Sequence, residues 1–232
     1  MMKWQNLILL TCFNLSLSSL ADEKIAEKVP SVSLEDKYCQ NIKNTYNCAQ
    51  AIERQQMAEL HKSPEHKNLL NRYLKLSLPN NQVKIIEEDP SKGPFYSFRE
   101  FMPDLGFLVF HLQYFEGTAY SLISTASGKE FILPGAPLQS PDKKKVLSTS
   151  SDLIAGYDPN SIQIWRISNT DMTKEMALDP QPVNWGPSDA VWVDDKTIHF
   201  TKNILTEEKL PACAVEKMKL VFDGLTWKML EA

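Results

Sequence analysis

The sequence has no basic excess. Its 232 residues carry 25 Lys+Arg against 29 Asp+Glu, for a formal charge of −4. That balance speaks against a dedicated nucleic-acid binder, which shows clustered positive charge. Beyond the first 20 residues it also has no apolar run near the roughly 20 residues that a membrane-spanning helix needs, so no membrane span is expected. It lacks G-x-S-x-G, H-E-x-x-H and the phosphate-binding P-loop. It lacks C-x-x-C and paired Cys/His zinc spacing. No catalytic residue, metal or cofactor is therefore assigned. What remains is ordinary globular composition, 43% hydrophobic and 23% charged, enough for one sizeable core.

The N-terminus carries a targeting signature. Lys3 precedes an apolar stretch of Leu7 to Leu10, Cys12, Phe13, Leu15, Leu17 and Leu20. Ser19 and Ala21 then put small residues at −3 and −1, with Asp22 as the first mature residue. Residues 1–21 read as a cleaved signal peptide, which places the mature protein in the periplasm or outside the cell. Thr11 before Cys12 weakens the competing lipoprotein reading.

Cys39, Cys48 and Cys213 then remain. In an oxidising compartment Cys39 and Cys48 are the natural pair. A continuous helix would hold them about 13 Å apart on opposite faces, so the bridge requires a turn near Asn44-Thr45. Cys213 is left free and, with Ala and Val neighbours, is expected to be buried.

Residues 22–35 read as a flexible tether and 36–68 as a helical segment, with a helix over 45–61 capped by Asn44 or Thr45 and ended at Ser63-Pro64. From residue 69 to 232 the texture is short β-branched and aromatic runs between turn formers. SLISTASGKEFILPGAPL at 121–138 matches RISNTDMTKEMALDPQPV at 166–183, an offset of 45. The expected fold is mainly β: a propeller-like array of antiparallel sheets, about four repeats of ~45 residues, preceded by a short helix. A β-sandwich would give similar strand counts but no reason for the period. Trp165, Trp185 and Trp192 are expected between blades.

Two turns carry a resemblance. Ser140-Pro141-Asp142-Lys143-Lys144 resembles the S-P-D-G-K turn of TolB-like and WD40-like propellers, with Lys143 where Gly is usual. Asn184-Trp185-Gly186-Pro187-Ser188-Asp189 resembles its W-S-P-D form, with an extra Ser188. Cys48-Ala49-Gln50-Ala51-Ile52-Glu53 before the strands is similar to a segment of a group of secreted bacterial proteins. The resemblance implies a fold and no reaction.

Among the four histidines, His61 and His66 flank Pro64 with no companion acidic or Cys motif, and His111 and His199 lie within strand runs. Structural roles are expected for all four. Two loops are the candidate binding elements. Tyr114 and Glu116 sit at a hairpin tip, Tyr114-Phe115-Glu116-Gly117. Asp152, Tyr157, Asp158 and Asn160 belong to the insertion at 151–160. The three Asx residues offer oxygens to a cation, but without EF-hand spacing, and Asp158-Pro159-Asn160 makes a turn. Binding residues concentrate on loops held by a rigid scaffold. Tyr96, Phe98 and Arg99 on the preceding strand are further candidate anchors. The expectation is a non-catalytic binding or scaffold protein with a protein partner in the cell envelope, in one form an inhibitor or immunity protein of a cell-wall hydrolase. The alternatives are an envelope-glycan enzyme using carboxylates such as Glu116 and Asp152, and a structural envelope component.

Overall fold

The computed structural model describes residues 33–71, 74–89, 91–181, 183–205 and 213–232. The expected signal peptide and most of the expected tether fall outside the described residues. Helix α1 (Leu34–Tyr38) begins inside the stretch read as tether. Ser33 caps it by accepting from the Asp36 N–H at 3.0 Å. Helix α2 (Thr45–Lys62) follows, with Asn44 accepting from the Asn47 N–H at 2.9 Å. The break between the helices brings Cys39, the C-cap of α1, against Cys48 in the first turn of α2, and they form a disulfide. Among the described residues, no helix is long and apolar enough to cross a membrane.

The strands form four antiparallel sheets. Strands β1 (Lys75–Ser77) and β2 (Val83–Ile85) pair as a short hairpin across Pro79–Asn81. Sheet 1 is β3 (Phe95–Met102), β4 (Phe107–Gln113), β5 (Thr118–Ser124) and β6 (Glu130–Leu133). Sheet 2 is β7 (Pro137–Gln139), β8 (Lys145–Ser150), β9 (Ser161–Ser168) and β10 (Asp171–Leu178). Sheet 3 is β11 (Trp185–Asp194), β12 (Thr197–Leu205), β13 (Cys213–Phe222) and β14 (Trp227–Glu231). Each of the three larger sheets is a plain meander. The offset-45 match superposes the third and fourth strands of sheet 1 on those of sheet 2, so the repeat follows real sheet boundaries. Among the described residues three sheets reach four strands, and the arrangement is open. The region before residue 95 yields two three-residue strands, too short for a fourth full repeat.

Alternation along the strands explains the stacking, because successive side chains leave a sheet on opposite faces. In β4, Leu108, Phe110 and Leu112 point to a cluster with Met57 and Leu60 of α2, Leu70, Leu76 and Ile86. Phe107 and Val109 point the other way, to Val146, Met172 and Trp165 of sheet 2. In β8, Val146 faces sheet 1 while Leu147 faces Ile198, Phe200 and Leu220 of sheet 3. Full burial of each such side chain contributes about 1.5–3 kcal/mol. The three tryptophans do lie between sheets. Trp165 packs edge-on to Phe131 at 6.2 Å. The Trp192 indole N–H donates to the Leu138 carbonyl at 3.0 Å. Trp185 packs on Phe200.

Of the two segments that suggested a propeller, the turn at 140–144 packs against sheet 3, whereas 185–189 is not a turn but the start of β11. Asp142 accepts from Ser140 Oγ at 2.6 Å and from the Lys144 N–H at 3.1 Å, while its own N–H donates to Asp195 of sheet 3 at 2.7 Å. Lys143 takes φ +59°, the left-handed conformation that glycine fills at least cost. The extra Ser188 is accommodated by a register shift between Ser188 and Val191.

Helix α2 packs on strand β3, the edge strand of sheet 1. An edge strand left open invites pairing with another chain. Glu53 of α2 lies beside the Phe98 backbone, which favours its ionised form. Burial, reinforced by the nearby Glu88 carboxylate, raises the Glu53 pKa to about 7. On the same sheet, Arg99 Nη2 donates to His111 Nδ1 at 2.9 Å and Arg99 Nη1 pairs with Glu35 of α1 at 2.8 Å. Burial, then the Arg99 charge, pushes the His111 pKa down to about 4. Arg99 and Phe98 are thus interior residues, and Tyr96 is half-buried with its hydroxyl on Glu130 at 3.0 Å. Burial leaves Phe98 and Arg99 no surface to offer as anchors.

These two groups pull stability in opposite directions. The Glu53 contribution is fully present below its unfolded pKa and is lost as pH rises through about 7. The His111 contribution is present above its unfolded pKa and is lost as pH falls through about 4. Each is worth about 2 kcal/mol once solvent screening is allowed for. Glu53→Gln is expected to raise the urea midpoint at pH 8 and to make stability fall on acidification to pH 5. His111→Gln should make stability rise over the same interval. Parallel pH profiles for the two variants would contradict this account.

Candidate interaction surface

The β4–β5 connection is a four-residue turn in which the Tyr114 N–H donates to the Gly117 carbonyl at 3.1 Å. Gly117 has φ +88°. A Cβ there would stand 2.6 Å from Asp158 Oδ1 and 3.2 Å from the Tyr157 carbonyl oxygen, so glycine is required for contact as well as for conformation. Asp158 closes that contact. Its carboxylate accepts from the Thr118 N–H at 2.6 Å and from Thr118 Oγ1 at 3.1 Å. The two loops singled out in the sequence, 41 residues apart at Gly117 and Asp158, thus lie against each other.

The 151–160 loop holds its own shape. The Asp152 N–H donates to Asn160 Oδ1 at 2.9 Å, and Asn160 Nδ2 returns a bond to the Asp152 carbonyl at 3.1 Å. Asn160 is buried, and this pair closes the base of the loop. The Asp152 carboxylate accepts from the N–H groups of Ala155, Tyr157 and Asp158 at 2.9, 2.7 and 3.2 Å. Partial burial opposes ionisation of Asp152, but these backbone donors outweigh it and hold the carboxyl below the usual range. Gly186 of sheet 3 packs under the base. A Cβ at Gly186 would meet Asn160 Oδ1 at 2.5 Å. The loop is therefore seated on sheets 1, 2 and 3 together.

The polar groups face inward and the apolar ones outward. Phe115 is 97% exposed, Ile154 75%, Tyr157 58% and Tyr114 41%. Large apolar side chains scattered singly need no explanation, but four on two loops locked to each other form a patch of the kind that marks interaction sites. Tyr and Phe are favoured in such places because they offer large area at low conformational cost. Glu116 is exposed beside Phe115.

This arrangement sorts the candidate residues. Asp152, Asp158 and Asn160 support the loops, and their side-chain oxygens are already engaged by N–H and O–H donors. Tyr114, Glu116 and Tyr157 belong to the outer surface. Phe115 and Ile154 join them. Phe115 was visible as an aromatic at a hairpin tip; Ile154 carried no signal beyond its place in an insertion. Among the described residues, no group of three His, Cys, Asp or Glu could hold a metal ion. His61 contacts the Leu70 carbonyl at 2.9 Å and His66 packs on Phe101 at 4.7 Å. The side chain of Cys213 falls outside what is described. No protein-family model matches the chain, and no curated protein matches it.

Asp158→Ala is expected to free the two loops from each other. It strands the Thr118 N–H, at a cost of about 1–3 kcal/mol. The measurable outcome is a lower urea midpoint together with faster amide exchange at Thr118 and Tyr157. Unchanged exchange at both would show that Asp158 is not the lock.

Proposed function

We propose that the chain is a non-catalytic binding module of the cell envelope, exported by its first 21 residues, in which an open propeller-type stack of sheets presents one fixed loop surface to a protein partner. The observation that carries this reading is the locked pair of loops exposing Tyr114, Phe115, Ile154 and Tyr157. Rigid exposed aromatics on an ordered scaffold lose little entropy on binding, which is where affinity is gained. The disulfide suits an oxidising compartment. The Asp152 carboxylate, engaged by three backbone donors, is poorly placed as a proton donor to a glycan.

The test is a C-terminally tagged protein expressed in its native envelope, crosslinked and purified. One stoichiometric protein is expected to be retained. Phe115→Glu, at a position too exposed to disturb folding, should reduce its recovery at least tenfold. A hydrolase as the retained protein would make this chain an inhibitor. No partner at low salt, or recovery indifferent to Phe115→Glu and Tyr157→Ala, overturns the reading.

A further inference from the structure

A second feature lies at the other end of sheet 2, independent of the loop surface. Ser161, which follows the 151–160 loop, and Ser168 are the two ends of β9, roughly 20 Å apart at the usual rise per residue. Around the far end, β9 and β10 of sheet 2 and the β13–β14 hairpin of sheet 3 enclose a cleft of about 570 Å³. That volume lies within the range of small-molecule sites. Its lining includes Arg166, Thr173, Glu175, Phe222, Thr226 and Trp227.

Glu175 organises the cleft. Its side chain is only 9% exposed, and each carboxylate oxygen has a different partner. Oε1 accepts from Arg166 Nε of the neighbouring strand, and Oε2 accepts from the Trp227 indole N–H of the next sheet at 3.2 Å. One buried carboxylate thus fixes a guanidinium and an indole on two walls. Phe222 packs on Trp227 at 5.3 Å, and Trp192 supports Trp227 from behind at 5.9 Å. Arg166 spends its Nε–H on Glu175, while its side chain remains 61% exposed. Its terminal N–H groups therefore project as planar donors beside an aromatic wall.

The chemistry of the occupant follows from this combination. The Arg166 charge is compensated by Glu175, and the Lys174 ammonium sits over the Trp165 ring at 4.8 Å. A simple anion would approach a carboxylate as closely as a guanidinium. A purely apolar ligand would leave Arg166, Thr173 and Thr226 unsatisfied. A pyranose ring meets both conditions, with an apolar C–H face for Phe222 or Trp227 and equatorial hydroxyls for the planar donors and the threonines. We propose that this cleft is a saccharide-binding site that takes hexopyranose rings, making the molecule a two-ended adaptor between a glycan and a protein.

The test uses the full secreted chain, applied to an array of neutral and acidic hexopyranose oligosaccharides. Chitotetraose, cellotetraose and the strongest array hit are then titrated by tryptophan fluorescence. Saturable binding by at least one is expected. Arg166→Met keeps the side-chain stem but removes the partner of the buried Glu175 carboxylate, so it should weaken binding at least tenfold in a protein that is still folded by circular dichroism, with a lower melting temperature. Glu175→Gln should weaken it as well by releasing both walls. No array signal above that of the denatured protein overturns the proposal. So does saturable binding that Arg166→Met and Glu175→Gln leave intact. Both outcomes are separate from capture of a protein by the Phe115 surface.

Discussion

Gly135→Ala is expected to cost about 3 kcal/mol or more, with a melting temperature lower by roughly 10 °C. The reason is not backbone freedom, because Gly135 is absent from the positive-φ positions. It is contact. Gly135 lies between β6 and β7, where the chain leaves sheet 1 for sheet 2. Its N–H donates to Ser148 Oγ at 2.9 Å, and its carbonyl receives the Ser148 hydroxyl at 2.8 Å. A Cβ at this position would overlap the Thr149 carbonyl oxygen and stand 2.9 Å from the Thr149 carbonyl carbon. These are backbone atoms of β8, fixed by pairing with β9, so they cannot swing aside. The strain must separate the crossover from β8 and break the Ser148 bonds. Thermal unfolding of the variant measures this directly. A drop under about 2 °C would mean that the crossover can shift at little cost.

Removing the disulfide is the second large effect. Helix α1 has five residues and none of them is buried. An isolated helix of that length has no stability of its own. Two ties hold it: the Cys39–Cys48 bridge and the Arg99–Glu35 ion pair. A bridge closing a separation of nine residues stabilises by about 2–3 kcal/mol on the chain-entropy account. The Cys39→Ser, Cys48→Ser double variant should lose that amount in a urea titration at neutral pH. The loss should be local in structure, since Ile52, Met57 and Leu60 keep α2 buried against its neighbours. Circular dichroism should therefore show an intact sheet signal below the transition. Equal midpoints for the oxidised protein and the double variant would show that the ion pair alone fixes α1.

Strand positions were legible because local patterning sets them. Ser161–Ser168 is an alternating run between the turn formers Asp158-Pro159-Asn160 and Asn169. Helix α2 was legible from its cap and from Ser63-Pro64. Helix α1 was missed because LEDKY is short and its three central residues are charged, although Ser33 and Asp36 carry the spacing of a capping box. Strand β7 was missed because three residues beginning with Pro137 show no alternation. Strand β10 begins at Asp171, where Met172 alone turns into the core while Asp171, Thr173 and Lys174 stay exposed, so its first half shows little apolar pattern. The candidate loops were visible singly. Their meeting at Gly117 and Asp158 was not, since that contact depends on how sheet 1 stacks against sheet 2. The cleft at Glu175 was invisible for the same reason. Its walls come from two sheets, and no one segment contains its pattern.

Every large sheet is a meander of consecutive strands, so each hydrogen-bonded ladder closes within a few dozen residues of chain. Short contact separation favours rapid folding, because little loop entropy is lost before a pairing forms. Each meander can therefore pair its strands before the next one is present, in order along the chain. The order also leaves an asymmetry. Sheets 1 and 2 end up covered on both faces, whereas sheet 3 packs only its Ile198, Phe200 and Leu220 side, with Val191 and Leu230 left exposed on the row that also carries His199 and Lys219. In native-state hydrogen exchange, β4 and β8 should be the slowest segments to open, and β14 should open on its own well below the global unfolding free energy.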